Sequence, residues 1–395
     1  MKTKLILITN PGSASRKYAL YNNQKPLCAI HFEYEKSKVI CTVKDIATDT
    51  SKKIDPKISD LGDTVSKLRE ILEDGGYVTP ENPISAILAR VVASGEYFTS
   101  DHIVDDECLR QFEIAKTKSP LHVPVVAAEI NHFRHSFSKT PIIAISDSSF
   151  HTSRPDLTKY YCIDTELADK AEIKRFGFHG LSVGYVTEFM KSKEILPEKL
   201  VVCHIGSGSS ITAVFNGASM DTSMGYSPLE GLMMSTRSGS LDLAAAVAIK
   251  KALNITDDEE LEKYLNKKSG LLGVSGSTDD MRDIIQKRDE GDPRATFAHA
   301  LYVYRIQSVI GHMVATLGGI DALVFTATIG ERSAEIRRSV MQKLAYLGFK
   351  LDASKNDVDS LPALANIAKT DSKPIYVIRT DETAEMIRRA LPLIP

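Results

Sequence analysis

The sequence predicts an α/β protein made of two copies of one unit, and three observations carry that expectation. The chain has 395 residues, too many for one ordinary core and about right for two domains. A Gly/Ser segment occurs twice when the chain is slid along itself. Asn10-Pro-Gly12-Ser13-Ala-Ser15-Arg-Lys17-Tyr-Ala19-Leu-Tyr-Asn22 lies without gaps over His204-Ile-Gly206-Ser207-Gly208-Ser209-Ser-Ile-Thr-Ala213-Val-Phe-Asn216, and Gly206 stands 194 positions after Gly12. Several apolar runs of strand length end in charged or polar residues, the pattern of an open sheet that binds ligands at its carboxyl edge.

Each Gly/Ser copy reads as strand, turn, strand, closing at an asparagine. Val65, Leu68 and Leu72 recur at helical spacing until Gly75-Gly76 stops them. Pro83 to Val92 reads as a strand carrying Arg90, and Pro141 to Ser146 as one that runs into Asp147. Thr296 to Leu317 marks a long helix, ended by Gly318-Gly319. Ile320 to Ala327 is a strand delivering Thr328-Ile329-Gly330-Glu331, and Pro374 to Arg379 one delivering Asp381-Glu382. Pro374 opens that strand without breaking its ladder. The final helical segment, Thr383 to Leu391, has no core of its own, so it is expected to dock on the first domain. No low-complexity linker separates the halves, which makes the boundary near Ser148 a hinge. The expected domains are residues 1–148 with 383–395, and 149–382.

Bulk composition excludes several classes. Apolar residues make up 43% and charged residues 25%, the balance of a globular protein. A net charge of −2 gives no overall electrostatic drive toward nucleic acid or anionic lipid. The first ten residues lack a signal-peptide cleavage site, and no apolar run approaches the roughly 18 residues that cross a bilayer. Five cysteines without C-x-x-C or Cys/His spacing read as reduced, packed thiols of a cytoplasmic protein.

Certain residues stand out as carriers of chemistry. Asn10-x-Gly12-Ser13-x-Ser15-x-Lys17 offers N–H groups, hydroxyls and one ammonium around a tight turn, which suits a phosphate, although an ordinary hairpin has the same look. The second copy at the repeat offset favours the phosphate reading. Arg90 lies in the apolar run Ala-Ile-Leu-Ala-Arg-Val-Val, so its guanidinium needs an anion, either a structural carboxylate or a substrate. Arg237, in Ser-Thr-Arg-Ser-Gly, suits the same task, and two arginines can neutralise a phosphoryl group in flight. His179 precedes a helix marked by Val183, Val186 and Met190, where a histidine satisfied at a helix start is equally ordinary. His122 and His151 have similarly plain alternatives. Asp147 and Glu382 are candidate Mg²⁺ ligands, Glu382 doubling as a complement to a helix dipole.

These residues resemble the acetate kinase (acetokinase) family along nearly the whole chain. The Asn10 to Lys17 segment is similar to that family's first phosphate signature. His204 to Ala213, with Asp221-Thr-Ser-Met-Gly-Tyr-Ser-Pro-Leu-Glu-Gly-Leu-Met-Met-Ser-Thr-Arg-Ser-Gly239, is similar to its second. Pro120-Leu-His-Val-Pro, Asp147-Ser-Ser-Phe-His151, Phe176-Gly-Phe-His-Gly180, Ser269-Gly-Leu-Leu-Gly-Val-Ser and Asp280-Met-Arg-Asp283 match further blocks. The resemblance implies the duplicated ribonuclease H-like fold of the actin/sugar kinase/Hsp70 superfamily, with two domains around a central cleft. It further implies a homodimer, Mg²⁺ (Mn²⁺ as a substitute), and ATP plus acetate giving ADP plus acetyl phosphate.

By position, the resemblance gives Asn10 and Glu382 to the metal, and Ser13, Ser15 and Lys17 to the nucleotide phosphates. Arg90 and Arg237 would clamp acetate and the transferring phosphoryl. Asp147 would be the catalytic carboxylate and His179 the stabiliser of the transition state. Val92, Leu121, His122, Phe178 and Pro228 would take the acid. His204, Gly206, Ser207, Gly208, Asp280, Met281, Arg282, Thr328, Ile329, Gly330, Glu331 and Arg332 would take the nucleotide. The first domain then binds acid and phosphate, the second the nucleotide. The chain departs from the family's usual strings at Ala93-Ser94-Gly95, Leu181-Ser182-Val183, Gly206-Ser207-Gly208 and Thr328 to Arg332. The last two changes fall in the nucleotide half-site, which keeps GTP and pyrophosphate open as donors. Acetate is ionised at neutral pH and needs no general base, so in-line transfer is expected, with Asp147 orienting the metal or its water and the hinge closing to exclude water. The rival readings are a propionate or butyrate kinase and a non-catalytic relative that senses acyl phosphate or nucleotide.

Overall fold

The computed structural model describes residues 4–12, 15–36, 38–119 and 123–394. The chain divides into two compact units: residues up to Ser149 together with those from Asp381 onward, and Phe150–Thr380.

The first unit holds an eight-stranded sheet of β1 (Leu5–Pro11), β2 (Ser15–Asn22), β3 (Lys25–Glu35), β4 (Lys38–Asp45), β5 (Thr50–Ile54), β6 (Ile84–Val91), β7 (His102–Ile103) and β8 (Ile142–Ser146), in the order β5-β4-β3-β2-β1-β6-β8-β7. The second holds β9 (Lys199–Ile205), β10 (Ser209–Phe215), β11 (Ala218–Thr222), β12 (Ala322–Thr326), β13 (Leu364–Asn366) and β14 (Ile375–Ile378), in the order β11-β10-β9-β12-β14-β13. Each sheet contains the same five strands: an antiparallel meander joined to two parallel strands. Both ends of β9 lie 194 positions after those of β1, the offset of the Gly/Ser repeat.

Side-chain alternation explains why β9 reads as an unbroken apolar run. Val201, Cys203 and Ile205 face the helix Pro293–Leu317 through Tyr302, Ile306 and Ile310. Leu200 and Val202 face the helix Gly180–Ser192 through Val183, Val186 and Met190. A sheet covered on both faces has no polar side to show, and each such burial contributes about 1.5–3 kcal/mol. In the first unit, Cys28, Ile30 and Phe32 of β3 share one core with Val65, Leu68 and Leu72 of the helix Thr64–Asp74 and Val126, Ile130 and Phe133 of the helix Val123–Ser136. The outermost strand β5 exposes Lys52 and Lys53, charges that discourage edge pairing.

Of the boundaries that differ from the sequence reading, three bear on the site. The long helix starts at Pro293 rather than Thr296, because Asp292 caps it through the Arg294 and Ala295 N–H groups before the apolar periodicity begins. Thr328 to Glu331 are not a polar strand end but part of a helical turn, Ala327–Arg332, which follows a strand that stops at Thr326. The C-terminal helix is Glu382–Ala390 and belongs to the first unit, where Arg389 bonds Asp101 and the Ser146 carbonyl (2.9 Å). No helix among the described residues is long and apolar enough to cross a membrane.

Candidate functional site

Parallel pairing brings the first group of candidate residues to one sheet edge. Leu7 and Thr9 of β1 pair with Ile87 and Ala89 of β6, and Arg90 pairs with Ile145 of β8. Asn10, Arg90 and Asp147 therefore all leave the sheet at its carboxyl edge, where ligands of such sheets collect. The C-terminal helix adds Glu382. Arg90 donates through Nη2 to Asp147 Oδ2 (3.2 Å) and through Nη1 to Glu382 Oε2 (2.8 Å). Their side chains are 16%, 1% and 24% exposed, respectively, so these charges meet largely out of water.

Burial works against the charge on Arg90, but Asp147 and then Glu382 outweigh it and raise its pKa. Glu382 is also raised: burial acts first, Arg90 opposes it, and the negative charge of Asp147 adds to it. Two carboxylates thus share one guanidinium, leaving an excess of negative charge within an all-oxygen donor set. Such a set fits a hard divalent cation, which takes few protein carboxylates and fills its shell with water and phosphate oxygens. Asn10, exposed at the end of β1, supplies a further oxygen at that edge. Among the described residues no three His, Cys, Asp or Glu side chains cluster as a self-sufficient metal cage.

The Gly12–Ser15 turn follows Asn10. Glu129, 3% exposed, accepts from Thr9 Oγ1 (2.9 Å) and Arg16 Nε (3.0 Å), while Arg16 also bonds the carbonyls of Gly12 and Ser15. A buried carboxylate therefore holds both arms of the hairpin through a charge-assisted bond. Lys17 is exposed and paired with Asn10 across the ladder. Ser13, Leu121 and His122 lie outside the described residues. Val92 is half-buried one residue after β6.

The second unit repeats the arrangement with different cargo. The turn between β9 and β10 is closed by Gly206 N–H to the Gly208 carbonyl (3.1 Å) and by Ser209 Oγ, which donates to the Gly206 carbonyl (3.1 Å). A Cβ at Gly208 would lie 3.2 Å from His179 Nε2 and 3.4 Å from Arg237 Nη1. Two side chains from distant segments thus converge on the turn where glycine leaves room for them. His179 Nδ1 pairs with Ser210 Oγ (3.0 Å), which leaves Nε2 facing Gly208. The Arg237 guanidinium contacts the Pro228 carbonyl (3.5 Å) and Met234 Sδ (3.8 Å) and makes no ion pair among the described residues. Burial lowers its pKa. A desolvated guanidinium without a carboxylate is an anion site in waiting.

His204 lies beside both the His179 ring and the second turn, a Cβ at Gly206 falling 4.0 Å from its Nε2. Its Nδ1 meets Ser182 Oγ (2.8 Å) and its ring stacks on His179, with centroids 4.1 Å apart. It supports the His179 ring from behind. Phe178 is buried directly before His179, and Pro228 is buried above Arg237.

Beside the second turn lies a cavity of about 420 Å³. Seven of the expected nucleotide residues line it: Ser207, Asp280, Met281, Arg282, Thr328, Ile329 and Arg332. Gly330 and Glu331 do not. Gly330 packs on Ile205 and Phe325, and Glu331 accepts from Thr380 N–H (3.0 Å). Ser235, Asp279, Ile285 and Ser333 also line the cavity and went unnoticed in the sequence. Ser235 and Ser333 were legible in principle, since Ser235 lies inside the string ending at Gly239 and Ser333 directly follows Arg332.

Gly208→Ala tests the convergence. Its Cβ fits the backbone but pushes on both His179 and Arg237, so kcat is expected to fall about tenfold with little loss of Tm. Steady-state kinetics beside a melting curve decide it; an unchanged kcat means the two side chains do not act at that turn.

Comparison with known proteins matches these features. The model of the acetokinase family matches residues 5–388. A protein from Brachyspira hyodysenteriae named acetate kinase is 38% identical over 384 residues, covering 95% of this chain and 96% of its own length. One of the same name from Bacillus cereus is 37% identical and covers 98% of each chain. Among solved structures, a propionate kinase from Francisella tularensis superposes with a TM-score of 0.89 at 33% identity over 98% of both chains. An acetate kinase from Porphyromonas gingivalis does so with a TM-score of 0.87 at 29% identity over 99% of both. The fold is accordingly the duplicated ribonuclease H-like architecture of the actin and sugar kinases. By its sequence along almost its full length, the chain belongs to the acetokinase family.

Proposed function

We propose that the chain is an acetate kinase, moving the terminal phosphoryl group of ATP onto an acetate oxygen to give ADP and acetyl phosphate. The observation that carries the reading is Arg237: a half-buried guanidinium with no carboxylate partner among the described residues, set beside His179 Nε2 at a glycine turn. A phosphoryl group in transfer spreads negative charge over its equatorial oxygens, which is the charge such a pair neutralises. A protein that only sensed a nucleotide would have no use for a desolvated cation at the reacting end.

The second unit is the nucleotide domain. Its cavity takes the nucleoside against Met281, Ile285 and Ile329, with the hydroxyls of Ser207, Ser235 and Thr328 at its polar side. A cavity of that size and lining supports a nucleotide donor over pyrophosphate, which would leave it idle. The first unit is the acid and phosphate domain, where Arg90 meets the acetate carboxylate, Val92 borders its methyl, and Ser15 and Lys17 receive phosphate oxygens. Acetate attacks in line as the carboxylate, so no base removes a proton. Asn10 and Glu382, with Asp147 orienting the ion or its water, would hold Mg²⁺ (Mn²⁺ as a substitute), which would supply charge neutralisation at the phosphate oxygens.

An assay that traps acetyl phosphate as its hydroxamate tests the proposal. Product is expected with acetate, ATP and Mg²⁺ together, and none after EDTA. Absence of product with ATP, GTP and pyrophosphate alike sinks it, and pyrophosphate outpacing ATP overturns the donor assignment. The Francisella tularensis relative motivates a second reading in which propionate is preferred. A chain-length series decides between them, and preference will be graded because one methylene is worth only about 1–3 kcal/mol.

Self-association is part of the same proposal. None of the residues of the helix Leu243–Ala252 is buried, although Leu243 (79% exposed) and Val247 (45%) are apolar. Asp242 precedes this helix and Lys251 stands in its last turn, so an antiparallel crossing with a second copy joins the apolar faces and matches opposite charges. Leu243→Asp is expected to convert a dimer to a monomer in light scattering. A wild-type chain that is monomeric at micromolar concentration rules the interface out. A cytoplasmic setting suits the five free cysteines, four of them buried.

A further inference from the structure

We infer that His151 is a positioning residue that sets the loop carrying His179, an inference that rests on the kinase reading for its consequence but not for its geometry. The loop Phe176-Gly177-Phe178-His179 is built from uncommon backbone. Gly177 has φ +79° and His179 has φ +60°. A left-handed conformation costs a residue with a Cβ roughly 1–2 kcal/mol, and such strain persists only when the surroundings over-determine it.

The surroundings that hold it come largely from one short turn, Ser149–Ser153, and the residue after it. His151 is 1% exposed. Its Nε2 lies 3.0 Å from the Phe178 carbonyl and its Nδ1 2.9 Å from Ser219 Oγ. A carbonyl only accepts, so Nε2 carries the proton and the tautomer is fixed. Arg154, 3% exposed, donates to the carbonyls of His151 (3.1 Å) and Phe176 (2.9 Å) and also to that of Arg175. Gly177 fits because a Cβ there would come within 2.9 Å of His151 Cδ2 and 2.6 Å of Thr222 Cγ2. The loop is therefore wedged between Thr222 and the His151 ring and tied at two of its carbonyls, Phe176 and Phe178, and at that of Arg175 just before it.

The tie matters at the next residue. Holding the Phe178 carbonyl fixes the peptide that precedes His179, and His179 then stands at the start of the helix Gly180–Ser192 without a side-chain cap of its own. Its Nε2 reaches the Gly208 turn only from that backbone setting. Freed of the His151 donor, the buried Phe178 carbonyl loses a partner, and the strained residue after it relaxes toward ordinary backbone.

The test uses the full-length protein and three variants. His151→Phe keeps a ring but removes the donor; His151→Gln keeps an N–H that reaches the carbonyl; Ser219→Ala leaves Nε2 but unties Nδ1. For His151→Phe, kcat is expected to drop at least about tenfold with KM for ATP within about twofold, since binding groups stay in place and only the transition-state contact moves. His151→Gln is expected to return kcat to within about threefold of wild type, and Ser219→Ala to lower it about threefold. The ¹H–¹³C resonance of the His179 ring, followed against pH, is expected to move in His151→Phe and to lie near its wild-type position in His151→Gln. A His151→Phe enzyme with kcat within twofold of wild type, or an unmoved His179 resonance, overturns the inference. So does failure of glutamine to restore kcat when both variants melt at the same temperature. Should phenylalanine prevent folding, the glutamine and Ser219→Ala enzymes decide by the same readouts. A wild-type protein that makes no acetyl phosphate refutes the kinase reading, while the His179 resonance still judges the positioning role.

Discussion

Arg237→Ala is expected to lower kcat by about 10³ or more and to leave the melting temperature unchanged or slightly raised. An arginine that meets a transferring phosphoryl group is worth about 10³–10⁵ in rate, and a factor of 10³ corresponds to about 4 kcal/mol. The stability half follows from what the guanidinium lacks. Its contacts in the described residues are a carbonyl at 3.5 Å and a sulfur at 3.8 Å, with no carboxylate. Removing a charge that is desolvated without compensation relieves the folded state. Kinetics and thermal melting on one preparation check both halves. A kcat near that of wild type removes Arg237 from the reaction, and a large fall in Tm shows instead that the side chain has a structural partner.

Arg90→Ala is expected to behave differently, with activity and stability failing together. Arg90 separates Asp147, 1% exposed, from Glu382, and its loss leaves two negative charges with no cation between them. Deleting one partner of a buried ion pair costs about 3–5 kcal/mol. Arg90→Ala should therefore melt several degrees lower, and the loss should shrink in Asp147→Asn/Arg90→Ala, where one of the stranded charges is gone. An Arg90→Ala protein as stable as wild type contradicts the ion-pair assignment, whatever its activity.

Much of this was legible in the residues because it is local. The Gly12 and Gly206 turns announced two copies of one strand–turn–strand, and the first strand of each copy has its borders at the same offset as those glycines. Arg90 was legible because an arginine in an apolar strand has to be answered by an anion. Other parts rest on backbone atoms, which leave no mark on composition. His151 looked ordinary because its partner is a carbonyl 27 residues away. The convergence of His179 and Arg237 on Gly208 joins segments whose spacing in the chain says nothing of their distance in space. His204, which the resemblance gives to the nucleotide, meets Ser182 through Nδ1 and stacks on His179, while its Nε2 stays near Gly206 of the turn; neither through-space contact is written in the chain's spacing. Thr328 to Glu331 looked like a strand end because the apolar run before them hides where the ladder stops; Ala327, at φ +65°, already turns the chain into a helix.

The C-terminal helix has a consequence for biosynthesis. Glu382 reaches Arg90 across 292 residues of sequence, so the half of the molecule that leaves the ribosome first is the last to be finished. A nascent chain that has already closed its second sheet still has Arg90 answered by Asp147 alone, and a chain that stops before Glu382 never gains the second carboxylate. Synthesis through Glu382 is thereby a condition for charge balance at the amino-terminal sheet.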